Sequence, residues 1–86
     1  MYRQVHANRV FRKTEPKAAN RYRQVAVVEK DQFEVRIFEG DVIQTDSEFV
    51  ADCSNAEVHT HPTLQEALAD AEMECEDSVE RGWEPV

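Results

Sequence analysis

The stretch TLQEALADAEMECEDSVERG, residues 63–82, predicts a complete helix with a start and a stop signal. Thr63 and Glu66 form a capping box, in which the Thr63 hydroxyl accepts a hydrogen bond from the Glu66 amide. Gly82 supplies a left-handed stop, after which Trp83 folds back onto the last turn. We therefore expect a helix over residues 64–81, about 27 Å long at 1.5 Å per residue.

The positions of this helix separate into an apolar stripe and an acidic face when they are stepped at about 100° per residue. The stripe consists of Leu64, Ala67, Leu68, Ala71, Cys75, Ser78 and Val79. The acidic face consists of Glu66, Asp70, Glu72, Glu74, Glu76, Asp77 and Glu80. Met73 lies among those carboxylates, where a flexible apolar side chain can anchor a partner. The pattern predicts a helix that packs on the rest of the protein along a narrow stripe.

Upstream of the helix, the apolar residues alternate with polar ones. Phe33, Val35 and Ile37 share one face of a predicted strand, and residues 21–29 are β-branched enough to be its partner. Further short strands are expected at 42–45, 48–53 and 57–61, with turns at 30–32, 39–41, 46–47 and 54–55. Residues 1–20 leave two alternatives open, a strand lined by Val5, Ala7 and Phe11 or a loose basic arm.

The predicted fold is a single α+β domain over residues 1–86, because a chain of this length has no room for a second core. It comprises an antiparallel β-meander of three to five strands within residues 21–61 and one C-terminal amphipathic helix packed on one face. A basic segment, residues 1–20, precedes the meander. The expected core contains Val25, Val27, Phe33, Val35, Ile37, Phe49, Ala51, Leu64, Leu68, Ala71, Cys75 and Trp83.

Positive and negative charges are segregated along the chain. Residues 1–38 hold nine of the ten basic side chains and four acids, a balance of +5. Residues 39–86 hold fourteen acids and only Arg81, a balance of −13, and the sum is the net charge of −8. Like charges on one surface repel each other, so the asymmetry marks where a cationic partner would relieve that repulsion.

Composition also narrows the protein class. No apolar run approaches the roughly 18–20 residues that cross a bilayer, and the N-terminus lacks the apolar region of a secretory signal, so no membrane association is expected. The two cysteines are too few for a disulfide scaffold and fit a reducing compartment, which predicts a cytoplasmic protein.

Cys53, His59, His61 and Cys75 are the residues that suggest a metal site. On a strand, His59 and His61 point to the same face, and two imidazoles with a thiolate can bind zinc. The cysteines do not form a CxxC pair, Cys75 lies on the packed stripe, and the histidines precede Pro62 in what resembles a loop. We therefore assign no metal and no cofactor from the sequence.

Catalysis is not expected either. Cys53 can be paired with His59 or His61, but the neighbouring Asp52 and Glu57 would raise the thiol pKa rather than lower it. The chain has only two glycines, and no phosphate-binding loop can be built from them.

Two functions remain. The first is a small, non-enzymatic interaction module whose acidic helix face docks on a basic protein surface, one form of which is a nucleic-acid mimic or inhibitor. Its expected partner-binding residues are Glu72, Met73, Glu76, Asp77 and Glu80. The alternative is a structural subunit that self-associates, with basic strands of one copy against the acidic helix of another. Direct nucleic-acid binding is not expected, because a net charge of −8 opposes approach to a polyanion.

Overall fold

The computed structural model describes residues 4–13, 21–47 and 56–86. In these ranges the chain forms β1 (Gln4–Lys13), β2 (Arg21–Glu29), β3 (Phe33–Gly40), β4 (Glu57–His61), α1 (Leu64–Glu80) and β5 (Glu84–Pro85). The strands form an antiparallel sheet in the order β4-β3-β2-β1-β5. Helix α1 packs on one face of it, so the predicted α+β meander is confirmed. Across the described ranges, no helix has both the length and the apolar character needed to cross a membrane.

The central hairpin follows the alternation of its sequence. Strands β2 and β3 form a hairpin whose pair next to the turn is Glu29 with Phe33. Residues 30–32 connect the strands, as predicted. Val25 pairs with Ile37, and Val27 pairs with Val35. Because side chains alternate along a strand, these four valine and isoleucine side chains share the face that α1 covers.

Strand β1 contains a bulge that the period-two pattern did not predict. Val5 pairs with Val28 and Ala7 pairs with Val27, which leaves His6 as the extra residue. A bulge of one residue reverses the side-chain alternation beyond it. As a result, Ala7 and Phe11 pack against the helix side of the sheet, while Val5 packs on the opposite side.

The main core lies between the sheet and α1. Its buried members are Phe11, Val25, Val27, Val35, Ile37, Ala67, Ala71, Cys75 and Trp83, with Ala7, Phe33 and Leu64 partly buried at its margin. Leu68 was predicted in this core and is 42% exposed, so that prediction is wrong. The helix turns Ala67, Ala71 and Ser78 toward the sheet, which rotates Leu68 outward. Phe49 and Ala51 lie outside the described residues.

Both ends of α1 carry the predicted caps. The Glu66 amide donates to Thr63 Oγ1 at 3.2 Å. At the other end, the Trp83 amide donates to the Ser78 carbonyl and the Gly82 amide donates to the Val79 carbonyl, both at 3.0 Å. This is a Schellman arrangement, and Gly82 has the φ of 93° that it requires. The helix ends at Glu80, one residue before the predicted end.

The opposite face of the sheet carries a smaller cluster of Ala26, Val28 and Phe38. Beside it, the side chain of Gln24, which is fully buried, holds the backbone of Gln44. Gln24 Nε2 donates to the Gln44 carbonyl at 2.9 Å, and the Gln44 amide donates to Gln24 Oε1 at 2.7 Å. The predicted strand at 42–45 is wrong, because this segment pairs with a side chain rather than with a strand. The predicted strand at 48–53 lies outside the described residues.

Candidate functional site

Two clefts run along the sides of α1. The first, which we call the apolar flank, has a volume of about 380 Å³ and is lined by Arg9, Phe11, Glu72, Cys75, Glu76, Val79, Glu80 and Pro85. The second, the polar flank, has a volume of about 360 Å³ and is lined by Arg23, Ile37, Glu39, Glu57, Glu74, Asp77 and Arg81. The apolar flank faces β1 and β5, whereas the polar flank faces β2, β3 and β4.

The apolar flank combines a hydrophobic floor with an acidic border. Phe11 is 1% exposed and forms part of the floor, while Val79 is 52% exposed. Glu72, Glu76 and Glu80 are exposed and follow one another at intervals of one helical turn. At 1.5 Å per residue, the outer two are about 12 Å apart along the helix axis.

The five residues expected to bind a partner are divided between the two clefts and the helix face that separates them. Glu72, Glu76 and Glu80 lie together on the apolar flank. Met73 is 69% exposed, on the outer side of the helix. Asp77 lies on the polar flank, where Arg81 Nε is 3.0 Å from its Oδ2.

Arg23 is the centre of the polar flank. Its side chain is only 7% exposed, and Nε donates to Ser78 Oγ at 2.7 Å. Its terminal nitrogens donate to Glu39 Oε2 at 3.0 Å and to Glu74 Oε2 at 3.3 Å. A basic residue of the N-terminal half of the chain thus neutralises acids of the C-terminal half inside the same molecule.

Strand β4 contributes a row of ionisable side chains beside this centre. The register pairs Ile37 with Glu57, Val35 with His59 and Phe33 with His61. Directly paired residues point to the same face of a sheet, so the three β4 side chains face α1. The strand predicted at 57–61 is therefore confirmed, and His59 and His61 belong to it rather than to the loop that the following Pro62 suggested.

Both histidine rings lie within hydrogen-bonding distance of Asp70, on α1. Its Oδ2 lies 2.9 Å from His59 Nδ1 and 2.7 Å from His61 Nε2. The other ring nitrogen of His59, Nε2, lies 2.7 Å from Glu57 Oε2. Glu57, His59 and Glu74 can each place one ligand atom within 4.8 Å of the other two.

The hydrogen bonds of this cluster shift two pKa values. Partial burial lowers the pKa of His59, but hydrogen bonds to Asp70 and Glu57 outweigh it and raise that pKa above its usual value. Burial likewise raises the pKa of Asp70, but hydrogen bonds from His61 and His59 outweigh it and leave that pKa lowered. Each shift favours the charged form of the residue.

The cysteines do not join the histidines. Cys75 is buried under the helix, and desolvation raises the pKa of its thiol, so it is a packing residue. Cys53 lies outside the described residues. Sequence reasoning missed Asp70 and Glu74, which it treated as part of one acidic face. Their i,i+4 spacing at the border of the buried stripe was the available signal.

Comparison with protein-family models, with curated proteins and with solved structures finds no match.

Proposed function

We propose that the protein is an interaction module that binds a basic, amphipathic helical segment of a partner protein in the apolar flank. The observation that carries this proposal is the row of Glu72, Glu76 and Glu80 beside a floor that includes Phe11 and Val79. Within the described residues, none of the three carboxylates makes an ion pair, whereas the acids on the other side of the helix do.

Charge complementarity identifies the occupant. The three carboxylates repeat every four residues, so a partner helix with lysine or arginine at the same spacing can place a cation opposite each one. Arg9, on the β1 side of the cleft, adds one position that favours an acidic partner residue. Exposed ion pairs contribute little free energy individually, so the apolar floor provides affinity and the charges provide orientation.

The same geometry favours a protein-docking surface over a nucleic-acid mimic. Successive carboxylates of the row are about 6 Å apart along the helix axis, whereas phosphates of one DNA strand follow at about 3.4 Å. An apolar floor also has no counterpart in a phosphate backbone. Asp70, Glu74 and Asp77, which would increase the charge density, are already paired within the chain.

The test uses a fluorescently labelled helical peptide with lysine at i, i+4 and i+8 and leucine on the adjoining positions. We expect saturable binding by fluorescence anisotropy, with an affinity that falls as salt rises from about 0.1 M to 1 M. Reversal of Glu72, Glu76 and Glu80 to lysine should abolish binding, and Val79→Ser should weaken it.

The matched control reverses three exposed acids away from the apolar flank, Asp31, Asp41 and Glu66. It changes the net charge by the same amount and should retain most of the binding. Equal loss in both triple variants would mean that only the net charge attracts the peptide, and the docking site would be refuted. Thermal unfolding of both variants verifies that each is folded.

Self-association is the second candidate, and the exposure of Arg9 on β1 and Arg21 on β2, both on the helix side of the sheet, favours it. In that arrangement these cations of one copy contact the acidic row of another. Sedimentation equilibrium at about 0.1 M and 1 M salt tests it, since a dimer held by exposed charges dissociates at the higher salt. A monomer at both concentrations rejects this candidate.

In either form we propose a binding role without catalysis, in the cytoplasm. A buried thiol with a raised pKa, such as that of Cys75, is a poor nucleophile, which supports the first part. The second part is supported by the small number of cysteines, two in the chain, which fits a reducing compartment.

A further inference from the structure

We propose that Glu57, His59 and Glu74 on the polar flank bind a zinc-like divalent metal ion. The three residues come from an edge strand and from the helix that packs beside it, and their ligand atoms already lie within 4.8 Å of one another. This site is independent of the docking function, because it lies on the opposite side of α1 and shares no residue with the acidic row.

The distances suit a small ion after a modest adjustment. Tetrahedral zinc with bonds of about 2.0–2.1 Å to nitrogen and oxygen separates its ligand atoms by roughly 3.3 Å. His59 Nε2 and Glu57 Oε2 are 2.7 Å apart and need to separate slightly, and Glu74 has a ligand atom within 4.8 Å of both residues. Glu57 has a side chain that is 64% exposed, so it can change its rotamer without disturbing the core.

The surroundings of His59 are those of a metal-binding imidazole. A histidine that binds a metal through one ring nitrogen commonly donates the other N–H to a carboxylate, which fixes its tautomer and orientation. His59 Nδ1 lies 2.9 Å from Asp70 Oδ2, so Nε2 is the nitrogen left to face Glu57. His61 holds the same Asp70 oxygen from the other side at 2.7 Å, which keeps this orienting carboxylate in place.

Charge and ligand type select the class of ion. The ion displaces the Nε2 proton that His59 shares with Glu57. The cluster then holds three carboxylates, those of Glu57, Glu74 and Asp70, against the guanidinium of Arg23, which is paired with Glu74. Its net charge of about −2 is one that a divalent cation neutralises. An imidazole ligand favours zinc and neighbouring transition metals over magnesium or calcium, which prefer oxygen ligands only. Three protein ligands at a solvent-accessible edge leave a fourth position for water.

This ligand set differs from the one that the sequence suggests. The sequence grouped Cys53 and Cys75 with the two histidines, but Cys75 is in the core, 6% exposed. His61 orients Asp70 instead of binding the ion directly. The site therefore contains one histidine and no thiolate among its ligands.

The experiment is an isothermal titration calorimetry measurement, in which ZnCl₂ is added to the whole chain after tag removal and treatment with a chelator. We expect one zinc per chain, and we expect His59→Gln and Glu57→Gln each to weaken binding by at least about tenfold. Asp70→Asn should weaken it by about 10- to 100-fold, the range for loss of an orienting carboxylate. The control is His6→Gln, since the hydrogen bond of His6 goes to Glu29 and to none of the ligand residues, and its loss should leave zinc affinity unchanged.

Cobalt provides a second readout. Co²⁺ in place of zinc should give visible bands of a nitrogen- and oxygen-ligated ion, and no thiolate charge-transfer band in the near ultraviolet. A thiolate band would overturn the ligand set. Absence of saturable zinc binding, or wild-type affinity in Glu57→Gln, would also overturn the proposal. The exposed position of Glu57 keeps that variant informative even if His59→Gln does not fold.

Discussion

The two flanks of α1 differ in how they use charge. On the polar flank, Arg23, Ser78 and Glu74 form a connected set of hydrogen bonds around a nearly buried guanidinium. On the apolar flank, Glu72 and Glu76 border a hydrophobic cleft without an ion pair inside the described residues. Within the described residues, the same helix therefore neutralises its charge on one side and leaves it unpaired on the other. The segregation of charge along a sequence therefore does not by itself locate a binding surface. The acids that are paired within the chain first have to be distinguished from those that are not.

The largest effect is expected on the apolar flank. Phe11→Ala should lower the free energy of unfolding by about 3–5 kcal/mol, because it removes a phenyl ring that is 1% exposed and leaves a cavity. Urea denaturation followed by circular dichroism measures it. Phe11→Leu retains most of the volume and should cost much less. Equal losses in the two variants would show that the stability contributed by residue 11 depends on the shape of its side chain rather than on the area it buries.

The polar flank should give the next largest effect. Arg23→Met should cost about 2–3 kcal/mol, because it retains the aliphatic stem but leaves Ser78 and Glu74 without their cationic donor. The partial exposure of Glu74 keeps the loss below that for a fully buried pair. Arg12→Met, at an exposed position of β1, should change stability by less than about 0.5 kcal/mol in the same denaturation assay.

How far the sequence predicts the molecule can be judged from particular residues. The capping box and the stop at Gly82 are local signals, so they located the helix to within one residue. Hairpin β2–β3 followed from alternation alone. The bulge at His6 and the pairing of Gln24 with Gln44 depend on contacts between distant segments, and periodicity contains no signal for them.

The candidate sites divide in the same way. Exposure of Met73 and the acidic row followed from helical spacing. The contact between His59 and Asp70 could not be predicted from spacing. Predicting it requires the order of the strands in the sheet and the position of the helix across them. Ser78 and Leu68 were both predicted on the apolar stripe, and Ser78 is buried whereas Leu68 is 42% exposed. A rotation of α1 by less than one residue's step accounts for the error at Leu68, and an average pattern cannot resolve it.

Neighbouring residues on the helix provide a direct test of this rotation. Ser78 is fully buried and donates to the Glu74 carbonyl at 2.7 Å while accepting from Arg23, whereas Val79 is 52% exposed. Ser78→Ala should cost about 1–2 kcal/mol because Arg23 loses a buried acceptor. Val79→Ala should cost less than about 1 kcal/mol. Thermal unfolding of the two variants compares them, and a reversed order would contradict the observed orientation of α1.

The smallest effect is expected at Leu68. The sequence placed it in the core, where Leu→Ala costs about 2–5 kcal/mol. Its side chain is 42% exposed, so Leu68→Ala should cost less than about 1 kcal/mol. The midpoint of urea unfolding measures this. A loss above about 2 kcal/mol would mean that Leu68 is buried in the core. The helix would then be rotated from the orientation described, and the apolar flank would not lie beside Val79.

The pairing of Gln24 with Gln44 has a consequence for which amino acids each of the two positions can accept. The bonds from Gln24 go to the backbone of residue 44, not to its side chain, so they are the same whatever amino acid other than proline stands there. Position 44 is consequently free to vary, while position 24 needs a side chain that both donates and accepts. Even Gln24→Glu removes the donor. Two glutamines in contact are thus under opposite selective constraints, and among relatives position 24 should be the one that stays glutamine.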